Sequence, residues 1–298
     1  AALLTCESSN MEKIAEGIAE CENLSIKVLP PDINESLGGF TVIDIGNSEQ
    51  KAGKIRFGMN AIKHLGTGAV DDIIRERKKN GSFASLANFI ERVPSVNKKI
   101  LESLIRSGAL DRFGKRKTLD YNVESMLNFA KNARKEQDPS KVSLFGGLEI
   151  ERELKLAETV SATDFPLLAY EKEYLGLYIT AHPLDGIKQY TDKLGVTLIK
   201  QIKEGRYTDT RATIIGIVAG ITEVKTKQGE QMLFVKMEDF DSSIEVIFFP
   251  RIYEKTRAII QNGSILLLTG DLSTKDEIPK LIAQTARAVN AQKLEKQA

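Results

Sequence analysis

Leu65-Gly66-Thr67-Gly68-Ala69 is a glycine hairpin between two runs of helical periodicity, with the second helix opening at Ala69. Neither glycine pays a Cβ penalty at positive φ, so the pair is expected to turn the chain sharply and leave free amides at the helix start. Free amides at the positive end of a helix dipole make an anion site, able to hold one phosphate oxygen without touching a base. The charge around it agrees. Residues 51–117 carry sixteen Lys/Arg against six Asp/Glu, whereas residues 1–50 carry two against nine, a split that the net charge of +1 conceals. A basic block beside an acidic one suits a module that faces a polyanion. Lys63, Gly66, Thr67, Gly68 and Lys98 are the candidate phosphate contacts on this side. Read alone, Gly-x-Gly before a helix is equally a plain helix–helix turn on a solvated basic face.

Outward from the hairpin, the pattern is helical from Ala61 to Arg134, broken at 66–68, Asn80-Gly81, Val93-Pro94 and Ser107-Gly108. Residues 62–77 run helix, glycine turn, helix, and residues 98–126 repeat that order around Gly108 and Gly114, which predicts tandem helix-hairpin-helix units. The second copy lacks its second glycine. Lys115, Arg116 and Lys117 at the next helix start offer side-chain charge in place of the lost amides, or form a solvated basic turn. Upstream, residues 2–24 read as one amphipathic helix, followed by short strands at 26–29, 40–45 and 54–57.

Residues 136–165 lose periodicity and read as a linker. Within it, Lys141-Val142-Ser143-Leu144-Phe145-Gly146-Gly147 sets two large apolar side chains beside paired glycines in a polar stretch. Such side chains dock somewhere, on the chain's own surface or in a partner's pocket. From Arg211 the period becomes 2. Strands at 213–224 (with a break at Gly216), 231–237 and 243–249, a short helix from Pro250, and strands at 265–270 and 278–289 follow the order of an OB-fold barrel. Lys225, Lys227, Phe234, Lys236, Phe248 and Arg251 supply charge and rings for a single strand. Alternation sends about half of the apolar ones to the core. The fold class is multidomain α+β: a mixed module, a tandem helix-hairpin-helix bundle and a five-stranded OB barrel.

No apolar run approaches the about 18 residues of a membrane span and no leader pattern is present, so the expectation is a soluble, cytoplasmic protein that contacts no membrane. Cys6 and Cys21 are isolated thiols, and His64 and His182 read as packing or hydrogen-bonding residues. Asp71-Asp72, Asp239 and Asp241 read as helix-start charge or turns rather than a metal site, leaving no catalytic and no metal-ligating residue. The start at Ala1, without Met, reads as a fragment of a longer protein.

Four segments carry a resemblance: IKVLPPDINESLGGF from Ile26, IRFGMNAIKHLGTGA from Ile55, ILESLIRSGALD from Ile100 and YLGLYITAHPLD from Tyr174. They resemble the C-terminal third of the bacterial replicative DNA polymerase III alpha subunits (family C), in order, over nearly the whole chain. The resemblance implies that residues 1–57 end the fingers region and that 58–135 are the tandem DNA-binding helix-hairpin-helix. Residues 136–200 are then a linker with the clamp-binding motif and a helical connector, and 201–298 the OB-fold. It implies primer-template DNA, single-stranded DNA, the sliding clamp and other polymerase III holoenzyme subunits as partners. Lys141, Ser143, Leu144 and Phe145 fall on the clamp motif, with Lys141 where the family usually has Gln. The palm carboxylates and the magnesium they hold lie upstream of Ala1 in the family, and its last domain lies beyond the barrel, so no cofactor is expected here. A standalone repair adaptor built from the same two modules, or an enzyme with an unrecognised site, are the alternatives.

Overall fold

The computed structural model describes the chain except for residues 9, 44–52, 137–153, 159–165, 192, 241, 274–277 and 290–298. It forms two units, residues 1–180 and 181–298. No described helix is long and apolar enough to cross a membrane.

In the first unit the periodicity over 2–24 is shared by two helices rather than one, α1 (Ala2–Cys6) and α2 (Met11–Asn23). Asn10 explains the restart, because its Oδ1 accepts the Lys13 amide at 3.2 Å as an N-cap. Strands β1 (Val28–Leu29), β2 (Thr41–Ile43) and β3 (Lys54–Arg56) form a small sheet with β3 in the middle, parallel to β1 and antiparallel to β2. Pro30 and Pro31 end β1, and the turn that follows ties the sheet to the helices. The Ile33 amide donates to the Ala109 carbonyl at 2.9 Å, Asn34 exchanges two hydrogen bonds with the Phe83 backbone, and the Ser36 hydroxyl donates to the Phe57 carbonyl at 2.8 Å.

The helices break where the turn residues sit. Helix α3 (Thr67–Asn80) stops at Gly81 (φ +78), α4 (Leu86–Arg92) starts on a Ser85 cap, and α5 (Lys98–Arg106) starts on an Asn97 cap. Helices α6 (Arg116–Tyr121), α7 (Val123–Glu136) and α8 (Leu167–Leu175) complete the unit. A single apolar core, running from Leu4 through Phe57, Phe89 and Leu104 to Leu177, joins the sheet and all the helices. Residues 154–158 lie against it: Asn122, itself buried, accepts from the Ala157 amide and donates to the Ala157 carbonyl, both at 2.9 Å.

Arg116 corrects the sequence reading. Expected as a phosphate contact, its side chain is only 4% exposed and folds inward. Asp111 takes it in a two-pronged bond, Nε and Nη2 each 2.7 Å from a carboxylate oxygen, and Nη1 reaches the fully buried Glu171 at 2.9 Å. Glu171 also accepts from the Ile179 and Thr180 amides and the Thr180 hydroxyl, so its remaining lone pairs are satisfied. Burial opposes the guanidinium charge, but the bonds from Asp111 and Glu171 outweigh it and raise the Arg116 pKa. Gly108 exists for this side chain. It adopts φ +86, and a Cβ there would lie 2.2 Å from Arg116 Nη2.

The second unit opens with a 3-10 helix (Asp185–Tyr190) and then α9 (Ile199–Lys203), whose first amide is held by buried Asp239 at 2.7 Å. Then come β4 (Arg211–Lys225), β5 (Gln231–Glu238), β6 (Ser243–Phe248), α10 (Pro250–Thr256), β7 (Ile265–Ser273) and β8 (Lys280–Ala288). They close a barrel in the order β4-β5-β6-β8-β7, the five-strand OB plan. Alternation places Leu233, Val235, Met237, Ile244, Val246 and Phe248 inside. Phe248 is completely buried, which removes it from the ligand-facing candidates. Gly216 does not break β4 as expected. The strand runs on and changes partner at Ile217, from β7 to β5. Glycine is required because a Cβ at 216 would sit 2.8 Å from the Glu238 carbonyl oxygen.

Two substitutions test the packing around Arg116. Arg116→Ala strands Asp111 and buried Glu171 and is expected to destabilise the first unit by about 3–5 kcal/mol. Gly108→Ala forces a left-handed alanine, about 1–2 kcal/mol, and displaces the guanidinium as well. With Arg116 already removed, only the backbone part remains. Denaturant midpoints of the single and double variants should therefore be less than additive, and additive losses would refute this account of position 108.

Candidate nucleic-acid interface

The first hairpin is built differently from the sequence expectation. Gly66 is the N-cap of α3 with extended backbone (φ −71, ψ 147), and neither Gly66 nor Gly68 has positive φ. The left-handed residue is His64, at φ +67. Why glycine, then, at 66 and 68? A Cβ at either position would meet no atom within 4 Å, so both backbones stand open to an approaching group. The helix starts at Thr67, two residues earlier than expected, and the Thr67 and Gly68 amides have no carbonyl one turn back to accept them. Lys63, Thr67 and both glycines are exposed, while Leu65 and Val70 anchor the hairpin in the core.

This face opens into a cleft of about 600 Å³ lined by Gly66, Gly68, Arg75, Ser95, Asn97 and Lys99, together with His64, Asp71 and Asp72. Ser95 Oγ is buried there with no hydrogen-bond partner within the chain. Asp72 is engaged by Arg75 at 2.9 Å. Asp71 and Asp72 stand in the second turn of α3 rather than at its start, which corrects the reading of them as helix-start charge. Sequence does not single out Ser95 and Lys99, because they lie thirty residues from the hairpin and only the fold brings them to it.

The basic block divides by residue type. All seven arginines between 51 and 117 are engaged within the chain. Arg56 binds the Pro30 carbonyl and Glu35, Arg77 the Ile33 and Ser36 carbonyls, Arg92 Glu76, Arg106 Asp120, and Arg112 Asp32. Part of the contrast between an acidic residue 1–50 stretch and a basic neighbour is thus an internal seam. The outward charge is carried mainly by lysines: Lys63, Lys78, Lys79, Lys98, Lys99 and Lys115 are exposed, joined by Arg75 and Arg112, whose ion pairs lie at the surface. Lys98 pairs with Glu124 at 2.7 Å, which raises its pKa.

At the second hairpin Gly108 and Gly114 are left-handed or extended positive-φ positions, Lys115 is the exposed N-cap of α6, and Lys117 is half-buried. With Arg116 turned inward, Lys115 is the exposed member of the expected basic triplet. A second open cleft, about 660 Å³, lies there between Asp111, Arg112, Gly114, Lys115 and Thr180.

On the barrel, Phe234 and Lys236 point to the outer face of β5, with Phe234 half-buried. Across the strands Phe234 pairs with Thr222 on one side and Ile247 on the other, an apolar rib that the sequence reading missed because strand register is non-local. Beside it runs a charged rib, where Lys236 faces Glu245 and Glu245 meets Lys280 at 3.2 Å. Lys225 and Lys227 are exposed at the β4–β5 turn, and Arg251 is exposed in the first turn of α10. Phe249, 44% exposed at the head of α10, is a further ring the sequence reading did not name. Lys141, Ser143, Leu144 and Phe145 lie outside the described residues.

His64 packs edge-on against Tyr174, and His182 accepts the Leu184 amide and packs on Phe240. Among the described residues no three His, Cys, Asp or Glu side chains gather into a possible metal site. The described residues offer no carboxylate cluster for the magnesium that the resemblance implies for the parent polymerase, and no chemical step is assigned to them.

Two family models match the chain, a helix-hairpin-helix motif over residues 25–119 and an OB-fold nucleic acid binding domain over residues 212–289. The DNA polymerase III alpha subunit of Saccharopolyspora erythraea is 32% identical over 97% of this chain and 25% of its own length. That of Borreliella burgdorferi is 33% identical over 99% of the chain and 25% of its length, and that of Deinococcus radiodurans 35% over 95% and 22%. The chain spans about a quarter of the length of the curated relatives it matches. With that identity carried across nearly every residue, and a helix-hairpin-helix module ahead of an OB barrel, the chain belongs to the DNA polymerase III alpha-subunit family.

Proposed function

We propose that this chain is the part of a replicative polymerase that holds primer-template DNA, gripping duplex backbone at the first hairpin and single-stranded template on the barrel. The observation that carries the reading is the Gly66–Gly68 face. Two amides without internal acceptors, two glycines open to close approach and a buried, unpartnered Ser95 hydroxyl converge there, with exposed Lys99 and Arg75 in the lining beside Asp71 and Asp72. Such a site takes an anionic oxygen and reads no base, which suits an enzyme that must hold any sequence. Lys63, Lys98 and Lys115 add long-range attraction within the first unit, with Lys117 at the start of α6, while Arg251 stands at the start of α10 on the barrel unit.

The barrel adds a stacking surface. The rib of Thr222, Phe234 and Ile247 offers one ring and apolar shoulders to successive bases, with Lys225, Lys227 and Lys236 beside it for the backbone. The sliding clamp and other holoenzyme subunits are the protein partners of this reading. The clamp contact rests on the sequence of Lys141, Ser143, Leu144 and Phe145.

Replacing Gly66 and Gly68 by Val leaves the turn intact, since neither φ is positive, and fills the approach to the amides. Affinity should fall alike for all duplex sequences, and the log-affinity against log-salt slope should flatten by about 0.9 for each phosphate the protein no longer neutralises. Unchanged binding, or a weakening confined to some sequences, would end the phosphate-site reading.

Phe234→Ala is expected to weaken single-strand binding by about 1–3 kcal/mol per stacked base with little change in melting temperature. Phe248→Ala, from inside the barrel, should instead cost about 3–5 kcal/mol of stability. Titration with single-stranded and duplex oligonucleotides separates the two effects, and equal weak binding to both would make the barrel a spacer.

Changing Leu144 and Phe145 together to Ala should abolish binding to the sliding clamp in a pull-down or surface-binding assay, while Lys141→Gln should tighten it. A large fall in melting temperature on the double change would show instead that the pair docks on its own chain.

A further inference from the structure

His64 carries the only described left-handed backbone in the hairpin, at φ +67, on a residue with a Cβ. That region is disfavoured for such a residue and persists where neighbours enforce it. The neighbour is Tyr174, from α8, 110 positions along the chain. Its carbonyl accepts the Lys63 amide at 2.9 Å, and its ring meets the His64 ring edge-to-face, centroids 5.9 Å apart and planes at 77°. Tyr174 is itself held. It is 5% exposed, and its hydroxyl accepts from Arg106 Nη1 at 3.1 Å. Arg106 in turn is fixed by Asp120 at 2.8 Å and lies over the Tyr170 ring at 4.8 Å. One helical turn earlier, Glu171 anchors the same helix to Arg116. Helix α8 is therefore bolted to the second hairpin and presents Tyr174 to the first.

We propose that Tyr174 is a positioning residue for the DNA grip: it holds His64 left-handed and so aims the Thr67 and Gly68 amides at the phosphate. The inference rests on the reading of the Gly66–Gly68 face as a backbone site. The conformation of residue 64 decides the direction in which the chain enters α3, and α3's first amides point where that entry sends them. Without the ring, a histidine relaxes toward the ordinary regions and the amides swing away. A glycine at 64 needs no such support, because it adopts positive φ freely.

The test uses the full chain, a labelled duplex of arbitrary sequence and a single-stranded oligonucleotide, with anisotropy as the readout. Tyr174→Leu keeps the carbonyl but removes the ring. Its duplex affinity should fall by about 5- to 30-fold, the equilibrium factor set by the left-handed penalty, while single-strand binding by the barrel stays unchanged. Tyr174→Phe should bind near the wild-type level. The decisive variant is Tyr174→Leu with His64→Gly, which should recover most of the affinity, whereas Tyr174→Leu with His64→Ala should not. The amide-to-α-proton coupling of residue 64 reports the sign of φ independently of DNA. Unchanged duplex affinity in Tyr174→Leu, or a weakening that His64→Gly fails to restore, overturns the proposal. If Gly66→Val also leaves duplex binding untouched, the underlying phosphate-site reading has failed instead.

Discussion

The guanidinium of Arg116, enclosed between Asp111 and a fully buried Glu171, is the constraint on which the first unit rests. Withdrawing two opposite charges from water is costly, and such a pair holds only when its geometry is good and its other lone pairs are used. Here every one of those demands is met by a neighbour: Asp111 from the turn before α6, and Thr180 and Ile179 from the turn after α8. A hydrophobic replacement of equal volume would bury as well, but it would not require that these particular elements meet. The pair dictates that position 108 has no side chain, that the second hairpin spends its basic residue internally, and that α8 lies where Tyr174 reaches the first hairpin.

The two hairpins thereby divide their labour. They share a sequence pattern, yet the first keeps open backbone and outward lysines, while the second turns its arginine into a fastening. The same division runs through much of the basic block, with Arg75 and Arg112 the exposed arginines. Arginine, with its planar fork, ties turns and carbonyls together, as Arg77 does for the Ile33 and Ser36 carbonyls. Lysine, a compact and strongly hydrated charge, is left at the surface where a mobile polyanion is best met.

What the sequence disclosed and what it hid follow from range. The helix stops at Asn80-Gly81 and Ser107-Gly108, and the strand order of the barrel, are local signals of period and turn chemistry, and they read correctly. The inward turn of Arg116 depends on Glu171, fifty-five residues away, and no local pattern announces such a partner. Phe248 and Phe234 look alike in sequence; only the register of β5 and β6 sends one inside and leaves the other on the outer face. The glycine hairpin is legible at the right place for a partly wrong reason. The turn needs its positive φ at His64, a residue type enriched in that region but far less diagnostic of it than the neighbouring glycines, and the glycines serve access rather than curvature.

The shared strand β4 has a consequence for how the barrel comes into being. Its pairing with β7 joins residues 48 to 60 positions apart, from Ile217 with Ile265 to Arg211 with Asp271, so no local hairpin covers that edge. Until β7 has been made and has returned, Ile214-Ile215-Gly216-Ile217-Val218 is an uncharged, β-prone run with half of its hydrogen bonds unmet. Non-local closure of this kind is slow beside the local contacts of the helical unit, and during that interval the run is a template for pairing with a second nascent chain. The barrel's finished surface exposes no free edge there; its hazard belongs wholly to synthesis and refolding, when protection must come from speed or from a chaperone.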